Sequence, residues 1–246
     1  MTNPGRESPT NSSADDSIQQ PQPHHRPVRS FVIRSARMTR AQRRAFDLHW
    51  PEYGIDPGDS QLNYTELFYR DAPTYLEIGF GMGQSLAAMA RMRPDDNFIG
   101  VDVCKPGVGS VIAAAKSAEL TNLRIIEGDA VELLRQRINS ESLSGVYIFF
   151  PDPWPKRRHQ KRRLIQTPFV ELVCSRLQPG GVLHVATDWQ DYAEQIERLL
   201  SGSELLTNCA ADSPYSPRPD YRSLTKYEAR GQRLGHGVWD LIYRKN

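Results

Sequence analysis

An α/β fold, a doubly wound and mostly parallel sheet with an antiparallel C-terminal edge strand, is what this sequence predicts, and three observations carry the prediction. From Thr74 onward short β-rich apolar runs alternate with helical periodicity, the signature of a parallel sheet covered on both faces. Acidic residues close nearly every one of the β-rich runs. The chain has 246 residues with 39% hydrophobic and 9% aromatic content, enough to bury one good core and leave a tail.

The elements follow in chain order. Residues 1–29 are mostly Ser, Pro, Asn, Gln and Asp, too polar to repay the entropy of ordering, and are expected to form a disordered tail in which His24 and His25 are solvated. Residues 30–246 are expected to form a single domain with a basic helical extension at its start. Within "RSFVIRSARMTRAQRRAFDLHWPEYG" the spacing predicts a helix over Ala41–His49, capped by Thr39 and carrying Arg40, Arg43 and Arg44 as a basic patch. The predicted parallel strands are "TYLEIG", "NFIGVD", "NLRIIEG", "GVYIFFP" and "GVLHVATD". Helices fill the gaps at "QSLAAMARM", "GVGSVIAAAKSAEL", "AVELLRQRI", "PFVELVCSRLQ" and "QDYAEQIERLL". A weaker strand near "ELLTNCA", a loop of Pro, Ser and Tyr, and a closing strand "GVWDLIYRK" complete the chain, with no internal repeat.

Composition narrows the function. A net charge of +2, from 31 basic and 29 acidic residues, gives no global signature of nucleic-acid binding, so contact with a polyanion must come from local clusters. Cys104, Cys174 and Cys209 lack metal spacing and suit reduced, core-filling thiols; no metal site is expected. No apolar run approaches the length that spans a bilayer, and a soluble, cytoplasmic protein is expected.

In open α/β sheets ligands bind beyond the carboxyl ends of the strands. Glu77, Asp102, Asp129, Asp152 and Asp188 all stand there. A single acid after a strand is usually a helix cap or a solvated loop residue, but five on one rim form a pattern. The loop "LEIGFGMGQ" joins the first predicted strand to its helix, and Gly79, Gly81 and Gly83 let the backbone turn sharply and approach a ligand. It lacks the Lys-Ser/Thr ending of a P-loop. Its G-x-G-x-G spacing differs from the dinucleotide fingerprint, and Glu77 would repel a pyrophosphate but attract a cation. Asp102, about 20 residues further on, is placed for ribose hydroxyls. These residues favour S-adenosylmethionine, an adenosine without phosphates that ends in a sulfonium and an amino group.

The segment "FFPDPWPKRRHQKRR" passes from strand to a carboxylate between two prolines and then to a cationic run. Pro151 and Pro153 stiffen the chain around Asp152, Trp154 offers a ring face for a base, and Lys156, Arg157, Arg158, Lys161, Arg162 and Arg163 supply cations for phosphates. A basic run alone is more often a solvated face or a localisation signal; its place directly after a rim carboxylate favours a substrate contact.

Together "FFPDPWPKRRHQKRR", "LEIGFGMG", "VDVCKPGVGS", "GDAVELL", "ATDWQDYAEQ" and "TKYEARGQRLGHGVWDL" resemble the tRNA (guanine-N7)-methyltransferases of the bacterial single-chain type, from about Arg29 to the C-terminus. The resemblance implies a Rossmann-like S-adenosylmethionine-dependent methyltransferase fold, and methylation of a variable-loop guanosine of the guanosine-46 type. It implies tRNA as partner, no obligate protein partner, and a monomer or homodimer. It implies that Glu77, Asp102, Asp129 and Asp152 hold the cofactor with the glycine loop, and that Asp152 is also the active-site residue. By the same resemblance Lys156, Asp188, Thr225, Lys226, Tyr227 and Glu228 contact substrate, and Arg158, His159, Gln160, Lys161, Arg162 and Arg163 form the RNA-interacting stretch. The chain departs from the family pattern at Asp102, where Glu is frequent, at Pro155, where His is frequent, and at Tyr227, where Phe is frequent.

Guanine is distinguished from adenine by two adjacent donors, N1–H and the N2 amino group, which one carboxylate can accept together. Glu228 is the favoured reader of that edge, beside Tyr227 as a stacking partner, with Asp188 the alternative. Two other functions compete with this one. An exocyclic-amine methyltransferase typically carries Asp/Asn-Pro-Pro-aromatic where this chain has Asp-Pro-Trp-Pro, and a non-catalytic RNA-binding scaffold would show eroded glycines or missing rim acids.

Overall fold

The computed structural model describes residues 1–2, 37–224, 228 and 237–246. Residues 3–29 of the expected N-terminal tail and the substrate candidates Thr225, Lys226 and Tyr227 lie outside the described residues. The first helix, α1 (Arg40–Tyr53), opens on the predicted cap: Thr39 and Gln42 exchange side-chain-to-backbone hydrogen bonds in a capping box. It runs four residues past the predicted end, through Pro51. A proline in the last turn removes one helical hydrogen bond, while Tyr53 beyond it is buried against the core and holds the turn in place. One short helix has no counterpart in the sequence pattern, α2 (Tyr64–Phe68), a single turn too short to show periodicity.

The sheet comprises β1 (Thr74–Ile78), β2 (Asn97–Asp102), β3 (Leu123–Glu127), β4 (Leu143–Phe149), β5 (Leu177–Thr187), β6 (Leu206–Asn208) and β7 (Trp239–Lys245). Between them lie α3 (Gln84–Met92), α4 (Lys105–Ser117), α5 (Ala130–Gln136), α6 (Thr167–Arg176) and α7 (Gln190–Ser201). Spatial order is β3-β2-β1-β4-β5-β7-β6. All neighbouring pairs from β3 to β5 are parallel, and β7 is antiparallel to both β5 and β6. The antiparallel C-terminal strand thus lies one position inside the edge, which is formed by the three residues of β6.

Two apolar cores cover the sheet. One face packs α5, α6 and α7 through residues such as Leu133, Val173 and Ile196. The other packs α1, α3 and α4 through Ala45, Met89 and Ile112. Strands buried on both faces read as continuous apolar runs, which is why "NFIGVD" and "GVYIFF" stand out in the sequence. The chain builds outward from β1 to β3 and then returns to place β4 beside β1. That reversal opens a crevice where the connections diverge, at the carboxyl ends of β1 and β4.

Candidate active site

A cleft of about 390 Å³ occupies that crevice, with Gly79, Gly81, Asp102, Asp129, Phe150 and Asp152 in its wall. A larger, more open concavity of about 720 Å³ lies at the other end of the sheet, near Thr74, Ser142 and Ser144. It meets the amino ends of β1 and β4 and holds none of the rim acids, which makes the smaller cleft the candidate site.

The three loop glycines divide by role. Gly79, Gly81 and Gly83 all have positive φ, 73°, 57° and 75°, which a side chain would strain. A Cβ at Gly79 or Gly81 would meet nothing within 4 Å, so both leave open space on the cleft side. A Cβ at Gly83 would lie 2.3 Å from Val111 Cβ, and Gly83 is absent from the cleft wall. Gly83 lets the loop pack on α4, a role the spacing does not reveal. Gly107 of α4 does the reciprocal work, since a Cβ there would sit 1.9 Å from the Gly81 carbonyl oxygen. The loop is pinned from behind and open in front.

Glu77 stands in register with Gly100 and Tyr147 and is only 2% exposed. Its Oε2 has no hydrogen-bond partner among the described residues, and neither does Ser85 Oγ in the first turn of α3. Burial, reinforced by the nearby charge of Asp102, pushes the Glu77 carboxyl up to about 8. An orphaned buried carboxyl behind an open glycine cradle is a site that a cationic group would complete. Ser85 does not stand out in the sequence, because a serine opening a helix carries no signal of its own.

Asp102 holds the loop as well as lining the cleft. Its Oδ2 accepts the Gly81 N–H at 2.8 Å and its Oδ1 accepts the Cys104 N–H at 2.8 Å. Each oxygen keeps a lone pair for a ribose hydroxyl. Burial raises its pKa against those backbone donors. Asp129 is the N-cap of α5, accepting the Val131 N–H at 2.8 Å, and lines the cleft from that position. Asp152 is exposed at the lip. Phe150 and Trp154, on either side of it, adopt left-handed backbone with φ of 54° and 45°, a strain that bulky residues tolerate only where the surroundings enforce it.

The cationic run folds as a 3₁₀ turn, Arg157–Arg162. Lys156, Arg157, Arg158 and Lys161 are exposed. His159 stays neutral near pH 7, its pKa lowered by burial and then by the surrounding cations Arg158 and Arg162. The Arg162 guanidinium lies 3.9 Å from the centre of the Trp154 ring, so it covers a face expected to be open to a base.

Arg163 departs from expectation. It is 3% exposed, donates to the Pro153 carbonyl, to Gln195 and to Asp191, and lies over the Tyr192 ring. Its guanidinium is thus committed inside the protein, where it ties the Asp152 loop to α7. Arg163→Ala is expected to lower Tm and kcat while leaving the salt dependence of tRNA binding unchanged; Arg158→Ala with Lys161→Ala should flatten that dependence by up to about 0.9 log units per phosphate left without its cation, and leave Tm alone. Thermal melts and a salt titration of tRNA affinity separate the two behaviours.

Glu228 is turned inward as well. It is 3% exposed and receives two hydrogen bonds from Arg222, at 2.8 and 2.7 Å. Arg222, 1% exposed, also donates twice to Asp240 of β7. Asp240 in turn bonds His184, whose other ring nitrogen meets the Tyr221 hydroxyl at 2.9 Å. Burial pushes His184 down, which keeps it neutral. Both Glu228 oxygens accept from Arg222 within this buried network, so among the described residues the carboxylate is held as a structural partner and is not exposed. Asp188 differs: it is exposed, and with Trp189, Asp191, Glu194 and Trp239 it lines a second concavity of about 500 Å³.

A doubly wound sheet with an acid-rimmed cleft at its switch point and a glycine loop open toward it defines the class: a Rossmann-like methyltransferase fold. Among solved structures, the 16S rRNA methyltransferase KamB superposes with a TM-score of 0.54 at 16% identity over 74% of this chain and 92% of that one. The aminoglycoside resistance methyltransferase NpmB1 gives 0.50 at 16% identity over 76% and 95%. At such identity the likeness is one of fold. A family model described as "Putative methyltransferase" matches residues 71–241. The tRNA (guanine-N(7)-)-methyltransferase of Nitrosospira multiformis is 54% identical over 221 residues, covering 90% of this chain and 96% of that protein. That of Serratia proteamaculans is 54% identical over 220 residues, covering 89% and 92%. The chain belongs to the tRNA (guanine-N(7)-)-methyltransferase family.

Proposed function

We propose that the chain transfers a methyl group from S-adenosylmethionine to N7 of a guanosine in the tRNA variable loop, of the guanosine-46 type, in the cytoplasm. The observation that carries the reading, given the family, is the order of groups across the cleft: an orphaned Glu77 oxygen and an open glycine cradle behind, Asp152 at the lip, and exposed cations beyond it. The residues fit the cofactor. Glu77 would attract its cationic amino-acid end, Asp102 would accept from the ribose, and Asp129 would accept from the remaining polar edge of the nucleoside.

When bound, the cofactor supplies an activated methyl group on a sulfonium. The chain's residues then have little proton chemistry to perform, because guanine N7 carries a free lone pair. Asp152 faces a base that becomes positively charged as the methyl arrives, and a fixed carboxylate there is complementary to that charge. The Arg163 clamp and the two left-handed aromatic residues fix the loop that carries Asp152, which serves in-line positioning. Asp188, exposed on the rim, is suited to accept N1–H and the N2 amino group of guanine. Incubation with unmodified tRNA and labelled S-adenosylmethionine, then digestion to nucleosides, tests the reading: the label is expected in N7-methylguanosine, and a label in any other nucleoside would overturn it.

A further inference from the structure

The arginines of α1 have no role in the cleft. Arg37, Arg40, Arg43 and Arg44 are all exposed. The opposite face of the helix is committed to the core, with Ala45 and Tyr53 buried and Phe46 and Trp50 packed beside them. The first turn holds no acid, and no ion pair involves Arg40, Arg43 or Arg44 among the described residues, although Asp47 lies one turn beyond Arg43. For the helix itself this is unfavourable. Arg40 and Arg44 are like charges one turn apart, and cations in a first turn oppose the helix dipole. A local cost with no compensation among the described residues points to an external anion.

The direction of α1 places these cations at the reactive end of the sheet. Gly109, near the start of α4, has no room for a side chain, because a Cβ would lie 2.6 Å from the Gln42 carbonyl oxygen and 2.7 Å from Met38 Cε. Near the far ends of the same two helices, Lys116 pairs with Glu52 at 3.0 Å. The helices therefore run side by side in one direction. Since α4 starts directly after the carboxyl end of β2, the arginine-rich start of α1 lies at the cleft end of the molecule. It belongs with α3 and α4 on one face of the sheet, whereas the Arg157–Arg162 turn leads into α6 and is clamped to α7 on the other.

We propose that the outer face of α1 is a second phosphate-binding surface, which grips the tRNA backbone on the side of the cleft opposite the Arg157–Arg162 turn. This rests on the tRNA reading above. A polyanion whose reacting base enters the cleft passes both cationic surfaces, and two grips on either side of the entry fix its angle as well as its affinity.

The test uses the full chain with Arg40→Ala, Arg43→Ala and Arg44→Ala combined, and unmodified tRNA as probe. The slope of log affinity against log salt is expected to fall by about 0.7 to 0.9 for each phosphate left without its cation, on the order of two in total. Affinity for S-adenosylmethionine should be unchanged. Tm should hold or rise, because alanine is the better helix former and like charges are removed. A slope matching the wild type, in a chain that does methylate tRNA, would overturn this surface alone. Failure of the wild-type chain to methylate tRNA would strike the underlying reading instead.

Discussion

Asp152→Ala is expected to lower kcat on the order of 100-fold while tRNA affinity stays within about threefold. The asymmetry follows from where the groups stand. The carboxylate sits at the lip of the cleft, whereas the exposed cations that would hold phosphates begin at Lys156 and continue along the 3₁₀ turn. A group that meets the developing charge on the base acts on the transition state and not on the bound backbone. Asp152→Asn keeps the shape and removes the charge, and should retain less than about a tenth of the wild-type rate if the electrostatic role is right. Single-turnover kinetics with a filter-binding Kd read both quantities. Equal losses in rate and affinity would make Asp152 a binding residue instead.

Glu77→Gln is expected to weaken S-adenosylmethionine binding by about 10- to 100-fold and, in the ligand-free protein, to raise stability above pH 8. The sign follows from the direction of the shift. Glu77 ionises near 4.5 in an ordinary setting and near 8 here, pushed up by burial and then by Asp102. The folded chain therefore holds that proton more tightly than the unfolded chain does. The associated stability is fully present below pH 4.5 and is lost as pH rises through about 8. Glutamine has no proton to lose, so the variant escapes that decline, yet it offers no charge to the cationic end of the ligand. For the wild type, ligand binding below pH 8 should expel a proton, and affinity should climb with pH until it levels near 8. Melting curves and calorimetry across that window check both halves. A variant that binds the cofactor as tightly as the wild type at pH 8 would remove Glu77 from the cofactor site.

The fold was largely legible because it rests on local pattern. Apolar runs mark strands buried on both faces, and the acids that end them are fixed to one rim by the parallel topology. The residue types that line the cleft were legible in the sequence, but the orientation of the side chains was not. Six cations follow Trp154, and nothing local says that Arg163 alone turns inward; that is decided by Gln195 and Asp191 on α7, about 30 residues further along. Nothing local marks Glu228 as engaged, because its partner Arg222 is fixed in turn by Asp240, which arrives only when β7 inserts between β5 and β6. Gly83 could not be told from Gly79 and Gly81 by spacing, since the difference is the side chain of Val111 behind it. In each case the deciding interaction is tertiary.

Methyl transfer to N7 itself can be tested by removing that atom. A tRNA carrying 7-deazaguanosine at the variable-loop target keeps the Watson–Crick edge, the phosphates and the fold of the substrate, and loses only the lone pair that attacks. The expected result is a Kd close to that of ordinary unmodified tRNA with no methyl incorporation at that nucleotide. Incorporation there at the ordinary rate would contradict N7 as the acceptor and would place the methyl on another atom of that nucleotide.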